Sequence, residues 1–203
     1  MQLATRTPGL SKRDHLGSLD ADLVRRARHG DEAAWHEMVD QHGTYLYRLA
    51  FSLVGNAADA EDVLQETFAG ALRHLPDFEG RASVKTWLSR ILVRQAARCH
   101  RSRGRHGAAP LEDSSDVSQG AALSRPSAAP AGNPSDMRMD ILAVLEGLSP
   151  EYREVIVLRE MQGMSYEEIA DVLDVPSGTV ESRLFRARQI LKERLKDYMT
   201  YNE

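Results

Sequence analysis

The stretch from Ser165 to Arg188, SYEEIADVLDVPSGTVESRLFRAR, holds two helix starts on either side of a turn that contains proline and glycine. Ser165, followed three residues later by Glu168, has the pattern of a capping box and predicts the start of the first helix. The segment DVPSG interrupts that helix, and Ser177 is the predicted N-cap of the second. Two helices joined by a tight turn are typical of a helix-turn-helix.

The second helix of this motif divides into an apolar face and a polar face. At about 100° per residue, five apolar residues share one arc and predict its core side: Val180, Leu184, Ala187, Leu191 and Leu195. Arginines and hydroxyls share another arc, which suits the DNA major groove because arginine can pair with guanine or phosphate. The candidate DNA-binding residues are Ser177, Thr179, Glu181, Ser182, Arg183, Phe185, Arg186 and Arg188. The alternative is an ordinary helical hairpin with a solvated basic face.

Apolar residues at spacings of three and four predict a helical domain upstream. Its helices are expected near residues 20–29, 31–54, 58–74 and 83–103, and Leu72 is expected to face the core. Of the 29 residues from 107 to 135, 20 are Gly, Ala, Ser or Pro, which predicts a flexible linker. Periodicity then returns, and Ser149 with Pro150 predicts another helix start. The prediction is an all-α chain with an N-terminal tail (1–18), a helical domain (19–106), the linker (107–135) and a second helical domain (136–198).

The last helix of the first domain carries a basic ridge. Eight Lys or Arg residues and no Asp or Glu lie between Arg81 and His106. Five of the arginines fall within an arc of about 80°: Arg90, Arg94, Arg98, Arg101 and Arg105. With Lys85 and Trp87 near its start, the ridge suits a nucleic-acid backbone whose bases could stack on an exposed ring. The alternative is that Trp87 is a core residue and the arginines are solvated.

The preceding helix, in the segment DAEDVLQETF, has the opposite charge. Acidic residues in a first helical turn, from Asp59 to Asp62, are expected from the helix dipole alone. Gln65 and Glu66 lie further along the helix and are not explained in that way.

Composition excludes several classes of protein. The 203 residues are 42% apolar, enough for real cores, and the net charge of -4 averages blocks of opposite sign. No run of eighteen apolar residues and no secretory leader occurs, so the expected location is the cytoplasm. The single cysteine, Cys99, leaves no internal disulfide and no zinc pattern. Because no nucleophile-base pair and no metal cluster is found, neither an enzyme nor a cofactor is expected.

Three motifs in this order resemble the extracytoplasmic-function (ECF) sigma factors of bacterial RNA polymerase. They are DAEDVLQETFAGAL, then FEGRASVKTWLSRI, and, after the linker, LSPEYREVIVLREMQGMSYEEIADVLDVPSGTVESRLFRAR. The resemblance spans about residues 20–198. It implies sigma region 2, a helical bundle, and sigma region 4, a helix-turn-helix, joined by the linker. The short tail YMTYNE argues against the family variants that have a C-terminal extension.

The resemblance also implies partners and roles. Core RNA polymerase would be bound, through the clamp helices of its largest subunit, by Asp59, Asp62, Gln65, Glu66 and Phe68. The -10 promoter element would be bound by Lys85, Trp87, Arg90, Arg94, Arg98 and Arg101, with flipped bases captured in the loop from Glu79 to Lys85. The helix from Thr179 to Arg188 would read the -35 element. An anti-sigma factor would hold the protein inactive, and could keep it at the inner membrane.

Two departures from the family pattern limit how far the resemblance extends. Many relatives have asparagine where this chain has Arg94, and some have a basic residue where Glu181 stands. The promoter sequence therefore does not follow from the resemblance. The linker is long enough to let the two domains bind both promoter elements. A flexible chain of its length has a root-mean-square span of about 30 Å and an extended limit of about 95 Å, and the two elements lie about 60 Å apart. A stand-alone helix-turn-helix regulator is the competing hypothesis, and it leaves Gln65 and Glu66 without a role.

Overall fold

A computed structural model describes the backbone of residues 12–107 and 143–200, and the side chains of residues 20–103 and 143–195. Within these ranges the chain is helical and contains no strand, which confirms the predicted all-α class. Apart from Gly107, the predicted linker lies outside the described residues. So do the first eleven residues of the predicted tail and the side chain of Arg105.

The first domain consists of four helices: α1 (Lys12–Arg28), α2 (Glu32–Val54), α3 (Ala57–His74) and α4 (Val84–Gly107), with a short 3-10 turn at Leu75–Asp77. The first of them begins upstream of the predicted Asp20. The Asp31 side chain caps α2 by accepting from the backbone N–H of Ala34, and Asn56 caps α3 in the same way. Between them Gly55 adopts a left-handed conformation, with φ of 82°, and ends α2.

The second domain contains a helical turn at residues 143–146, α5 (Pro150–Ile156) that continues as a π-helical segment (Val157–Met161), α6 (Tyr166–Leu173) and α7 (Ser177–Thr200). The predicted capping box is present, since the side chains of Ser165 and Glu168 each accept from the other's backbone N–H. Ser177 is the first residue of α7, so its prediction as the N-cap was wrong. In the first turn of α7 the Pro176 carbonyl accepts from the N–H groups of Thr179 at 2.9 Å and Val180 at 3.3 Å.

Two predicted core residues are exposed. Leu72 is 51% exposed, because the buried side of α3 is centred on Val63, Thr67 and Ala71, and about 100° per residue turns Leu72 toward Gln65 instead. Leu195 is 44% exposed, because α7 runs past the part of the domain on which it packs. The remaining predicted core residues of α7 are buried or half-buried.

The two domains pack against each other, and their buried side chains form one continuous apolar cluster. Helix α6 lies against α4, and the π-helical segment and α5 lie against α2. The guanidinium of Arg153 in α5 is buried in this joint and donates to the Leu53 carbonyl in the last turn of α2, at 2.8 Å. Within the described ranges, none of the helices is long and apolar enough to cross a membrane.

Candidate DNA-binding and polymerase-binding surfaces

Helix α7 presents the predicted recognition surface. Val180, Leu184 and Ala187 anchor one side of the helix in the core, so the opposite side faces solvent. Phe185 is 65% exposed, as its position on the helical wheel predicts. The other candidate residues of this helix are exposed or half-buried: Ser177, Thr179, Glu181, Ser182, Arg183, Arg186 and Arg188. An exposed aromatic ring among hydroxyls and arginines can contact phosphates and base edges together.

Two arginines of α7 interact with carboxylates of the preceding helices. The guanidinium of Arg188 donates to Oε1 of Glu160 at 2.6 and 3.2 Å, and this hydrogen bond raises the pKa of Arg188. Arg183 is half-buried beside Glu154 of α5. Burial raises the pKa of Glu154 to about 7, and the positive charge of Arg183 opposes part of that rise. Both arginines are therefore partly positioned by the protein, although Arg188 is exposed, as Arg186 is.

The basic ridge of α4 lies on the surface of the first domain. Arg94, Arg98 and Arg101 are exposed and Arg90 is half-buried. Nζ of Lys85 lies 4.3 Å from the centre of the Tyr45 ring, a cation-π contact, and the Tyr45 hydroxyl hydrogen-bonds to Ser89 at 3.0 Å. The first part of the ridge is thus held in place by α2.

Trp87 is neither a core residue nor fully exposed. Its ring packs on Phe78 with the centroids 4.7 Å apart, and both rings line a cavity of about 500 Å³. The cavity is bounded by Asp77, Phe78, Glu79, Gly80, Arg81, Ala82, Thr86, Trp87, Arg90 and Asp171. Aromatic rings can stack on the base of a nucleotide, and the two arginines of the cavity can neutralise its phosphate. Asp171, however, comes from α6 of the second domain.

The acidic face of α3 is defined by Asp62, Gln65 and Glu66, which are all exposed. Phe68 is half-buried and packs edge-on against Trp35 at 6.2 Å, and Leu72 adds exposed apolar area to the same face. Sequence reasoning missed Leu72 as a surface residue, although the helical wheel already places it beside Gln65. An apolar group within a ring of polar ones is typical of a protein interface.

Asp59 differs from its acidic neighbours. Its carboxylate forms a salt bridge with Arg103 of α4 and accepts from the Asn56 amide at 3.0 Å, and its side chain is only 20% exposed. It therefore helps to hold α3 against α4, whereas Asp62 and Glu66 are exposed. The nearby Cys99 is half-buried, and burial beside Asp59 raises the pKa of its thiol. Among the described side chains, no cluster of His, Cys, Asp and Glu could hold a metal ion.

Comparison with known proteins identifies two families of domain. Residues 38–106 match the model of sigma-70 region 2, and residues 138–191 match that of sigma-70 region 4. The chain is 38% identical to ECF RNA polymerase sigma factor SigE of Mycolicibacterium smegmatis over 84% of its own length, and it spans 64% of that relative. It is 32% identical to the ECF RNA polymerase sigma-E factor of Haemophilus influenzae, with 89% of this chain and 97% of that one covered. The ECF RNA polymerase sigma-E factor of Escherichia coli is 35% identical, with 87% of this chain and 94% of that one covered.

Two solved structures resemble most of the chain. The structure of CnrH in complex with the cytosolic domain of CnrY gives a TM-score of 0.67 at 28% identity, covering 88% of this chain and 98% of that one. The complex of the sigma factor RpoE with the anti-sigma factor NepR from Bartonella quintana gives a TM-score of 0.60 at 29% identity, covering 79% of this chain and 96% of that one.

Proposed function

The chain belongs to the ECF sigma factors of bacterial RNA polymerase, and we propose that it brings core polymerase to promoters by contacting two DNA elements. The observation that carries this proposal is the presence, on one chain, of an exposed recognition helix, a basic ridge with an aromatic cavity, and an acidic face. A regulator that binds an operator alone needs only the first of these surfaces. The protein acts in transcription initiation, with no catalytic activity of its own.

Core polymerase is bound by the acidic face of α3. Asp62, Gln65 and Glu66 supply the polar contacts, and Phe68 and Leu72 supply apolar area. The partner surface is the pair of clamp helices in the largest subunit, and acidic side chains suit a partner that is basic. Because Asp59 is bonded within the protein, it contributes by orienting α3 and not by direct contact.

Promoter DNA is bound by α4 and α7. The ridge residues Arg90, Arg94, Arg98 and Arg101, with Lys85, bind the backbone of the -10 element, and the cavity beside Trp87 takes an unstacked base. The exposed face of α7 reads the -35 element in the major groove. Phosphate contacts account for most of the arginines, since such contacts outnumber base contacts in protein–DNA complexes.

An anti-sigma factor holds the protein inactive until a signal arrives. Support comes from the solved RpoE relative, which is bound by the anti-sigma factor NepR, and from CnrH, which is bound by a cytosolic domain. The protein then acts in the cytoplasm, either free or held at the inner membrane by its partner.

Transcription in vitro tests the function directly. Core polymerase is incubated with fragmented genomic DNA, with and without this protein, and the 5′ ends of the transcripts are sequenced. New start sites that share two motifs at a fixed spacing are expected. If no new starts appear while the protein alone binds specific DNA, it is a stand-alone helix-turn-helix regulator.

Arg186→Ala is expected to weaken binding of the holoenzyme to a promoter found in this way by about tenfold and to reduce the slope of log affinity against log salt by about one. The reason is that Arg186 is exposed and free to reach a phosphate. Arg188→Ala is the matched control, with a smaller expected effect because Glu160 already binds Arg188. Fluorescence anisotropy over a salt series measures both variants. An unchanged slope with altered sequence preference would assign Arg186 to a base.

A further inference from the structure

The recognition helix carries an ion pair with another element of the second domain. Nε and Nη2 of Arg188, on α7, donate to Oε1 of Glu160 at 3.2 and 2.6 Å. Glu160 belongs to the π-helical segment, 28 residues earlier in the chain. Nε and Nη2 form one edge of the planar guanidinium, and arginine binds a phosphate by presenting two such donors side by side. The carboxylate therefore occupies donors that DNA could use.

Arg188 lies where DNA bound by α7 could reach it. It follows Phe185 by three residues, so the two side chains lie on neighbouring positions of one helix face. The ring of Phe185 is 65% exposed on the recognition surface. The ion pair is open to solvent as well, since the side chains of Arg188 and Glu160 are 48% and 50% exposed. A phosphate that approaches this surface would meet a guanidinium with one edge already taken.

The position of α7 does not depend on this ion pair. Val180, Leu184 and Ala187 are each at most 1% exposed and anchor the helix in the core. Exposed ion pairs contribute little to stability, because solvent screens the charges and both side chains lose freedom. The Glu160–Arg188 pair can therefore open without disturbing the fold, and its effect falls mainly on what Arg188 can bind.

We infer that Glu160 withholds Arg188 from the DNA backbone and so sets how many arginines of α7 bind the -35 element. The inference rests on the proposed function, since it needs α7 to bind DNA. A carboxylate and a phosphate compete for the same edge of the guanidinium, so the ion pair must open before that edge binds a phosphate. Breaking the pair offsets part of the gain from the new contact. Glu160 is thus a positioning residue that limits the strength of promoter binding.

The test uses the full chain, assembled with core polymerase, on the promoter fragment chosen for Arg186→Ala. Glu160→Gln removes the negative charge and keeps the size of the side chain, so Arg188 is left with a neutral acceptor only. Asp40→Asn, at an exposed position of α2, is the matched control for the change in net charge. Arg188→Ala and the double variant Glu160→Gln/Arg188→Ala complete a double-mutant cycle. Fluorescence anisotropy over a salt series measures all the affinities.

Glu160→Gln is expected to bind the promoter about threefold to fivefold more tightly than Asp40→Asn, with a slope of log affinity against log salt that is steeper by about one. Arg188→Ala should weaken binding by about twofold or less in the wild-type chain and by about fivefold or more in Glu160→Gln. Equal affinities of Glu160→Gln and Asp40→Asn overturn the inference. Tighter binding that persists in the double variant overturns it too, because the loss of charge alone then explains the gain.

Two further measurements separate the alternatives. Glu160→Gln should unfold at the same urea concentration as the wild type, and a large loss of stability would mean that the ion pair serves the fold, which overturns the inference. If Arg186→Ala leaves the promoter affinity unchanged, α7 is not the DNA site and both proposals fail. If Arg186→Ala weakens binding while Glu160→Gln behaves as Asp40→Asn does, only the role of Glu160 is wrong.

Discussion

Glu66→Arg is expected to lower the affinity for core RNA polymerase by at least about 100-fold. Glu66 is exposed on the acidic face, with Gln65 and Asp62. Reversing its charge places an arginine against a basic partner, and like charges brought together in an interface cost several kcal/mol, at about 1.4 kcal/mol for each factor of ten. Biolayer interferometry with immobilised core polymerase measures the loss.

Asp40→Arg is the control for this variant, because it makes the same change in charge at an exposed position of α2. Its polymerase affinity should stay within about twofold of the wild type, and both variants should keep the wild-type helical circular dichroism. Leu72→Ser is expected to weaken binding as well, by about tenfold, since it removes exposed apolar area from the same face. Normal polymerase binding by Glu66→Arg would show that the acidic helix is only a solvated surface.

Arg153→Met is expected to destabilise the fold by about 3 kcal/mol, because it removes hydrogen bonds from a charged donor to several buried carbonyls. The side chain is 7% exposed, and its guanidinium donates to four backbone carbonyls: Leu53 (2.8 Å), Glu146 (2.7 Å), Leu145 (2.9 Å) and Leu148 (3.4 Å). Methionine fills similar space without donors, so these buried carbonyls lose a partner. The Leu53 carbonyl keeps one hydrogen bond, with His100 at 3.0 Å, and the Leu145 carbonyl keeps one, from the Leu148 N–H at 3.0 Å.

Urea unfolding followed by circular dichroism measures this change. Arg98→Met, at an exposed position of α4, is the matched control and should change stability by no more than about 0.5 kcal/mol. The stability of Arg153→Lys should fall between those of the two variants, because an ammonium has three donors on one nitrogen and cannot bond to all four carbonyls. Stability of Arg153→Met within about 1 kcal/mol of the wild type would mean that water replaces the guanidinium in the joint.

Much of the fold could be predicted because its signals are local. Helix periodicity, the Ser165 capping box and the Gly55 stop each depend on residues within one or two turns, and the structure places them as expected. Errors occurred where a helix extends beyond its packing surface, at Leu195, or where one apolar residue too many was assigned to the buried side, at Leu72. The local sequence pattern does not show how much of a helix the neighbouring helices will cover.

The candidate site divides in the same way. The exposed Phe185 and the acidic and basic faces follow from the sequence, because a helical wheel separates charged from apolar arcs. The partners of individual charges do not follow from it. Asp59 with Arg103, Arg188 with Glu160, and Arg183 beside Glu154 join residues on different helices.

By itself, the sequence determined the helical class, the two domains and their resemblance to ECF sigma factors, because these are carried by short-range periodicity and ordered motifs. Only the tertiary structure decided that α6 packs against α4, that Asp174 bridges Arg90 and Arg94, and that Arg153 is buried on the end of α2. The physical reason is that these contacts join residues eighty to a hundred positions apart. Nothing local distinguishes a carboxylate that faces solvent from one that faces a distant arginine.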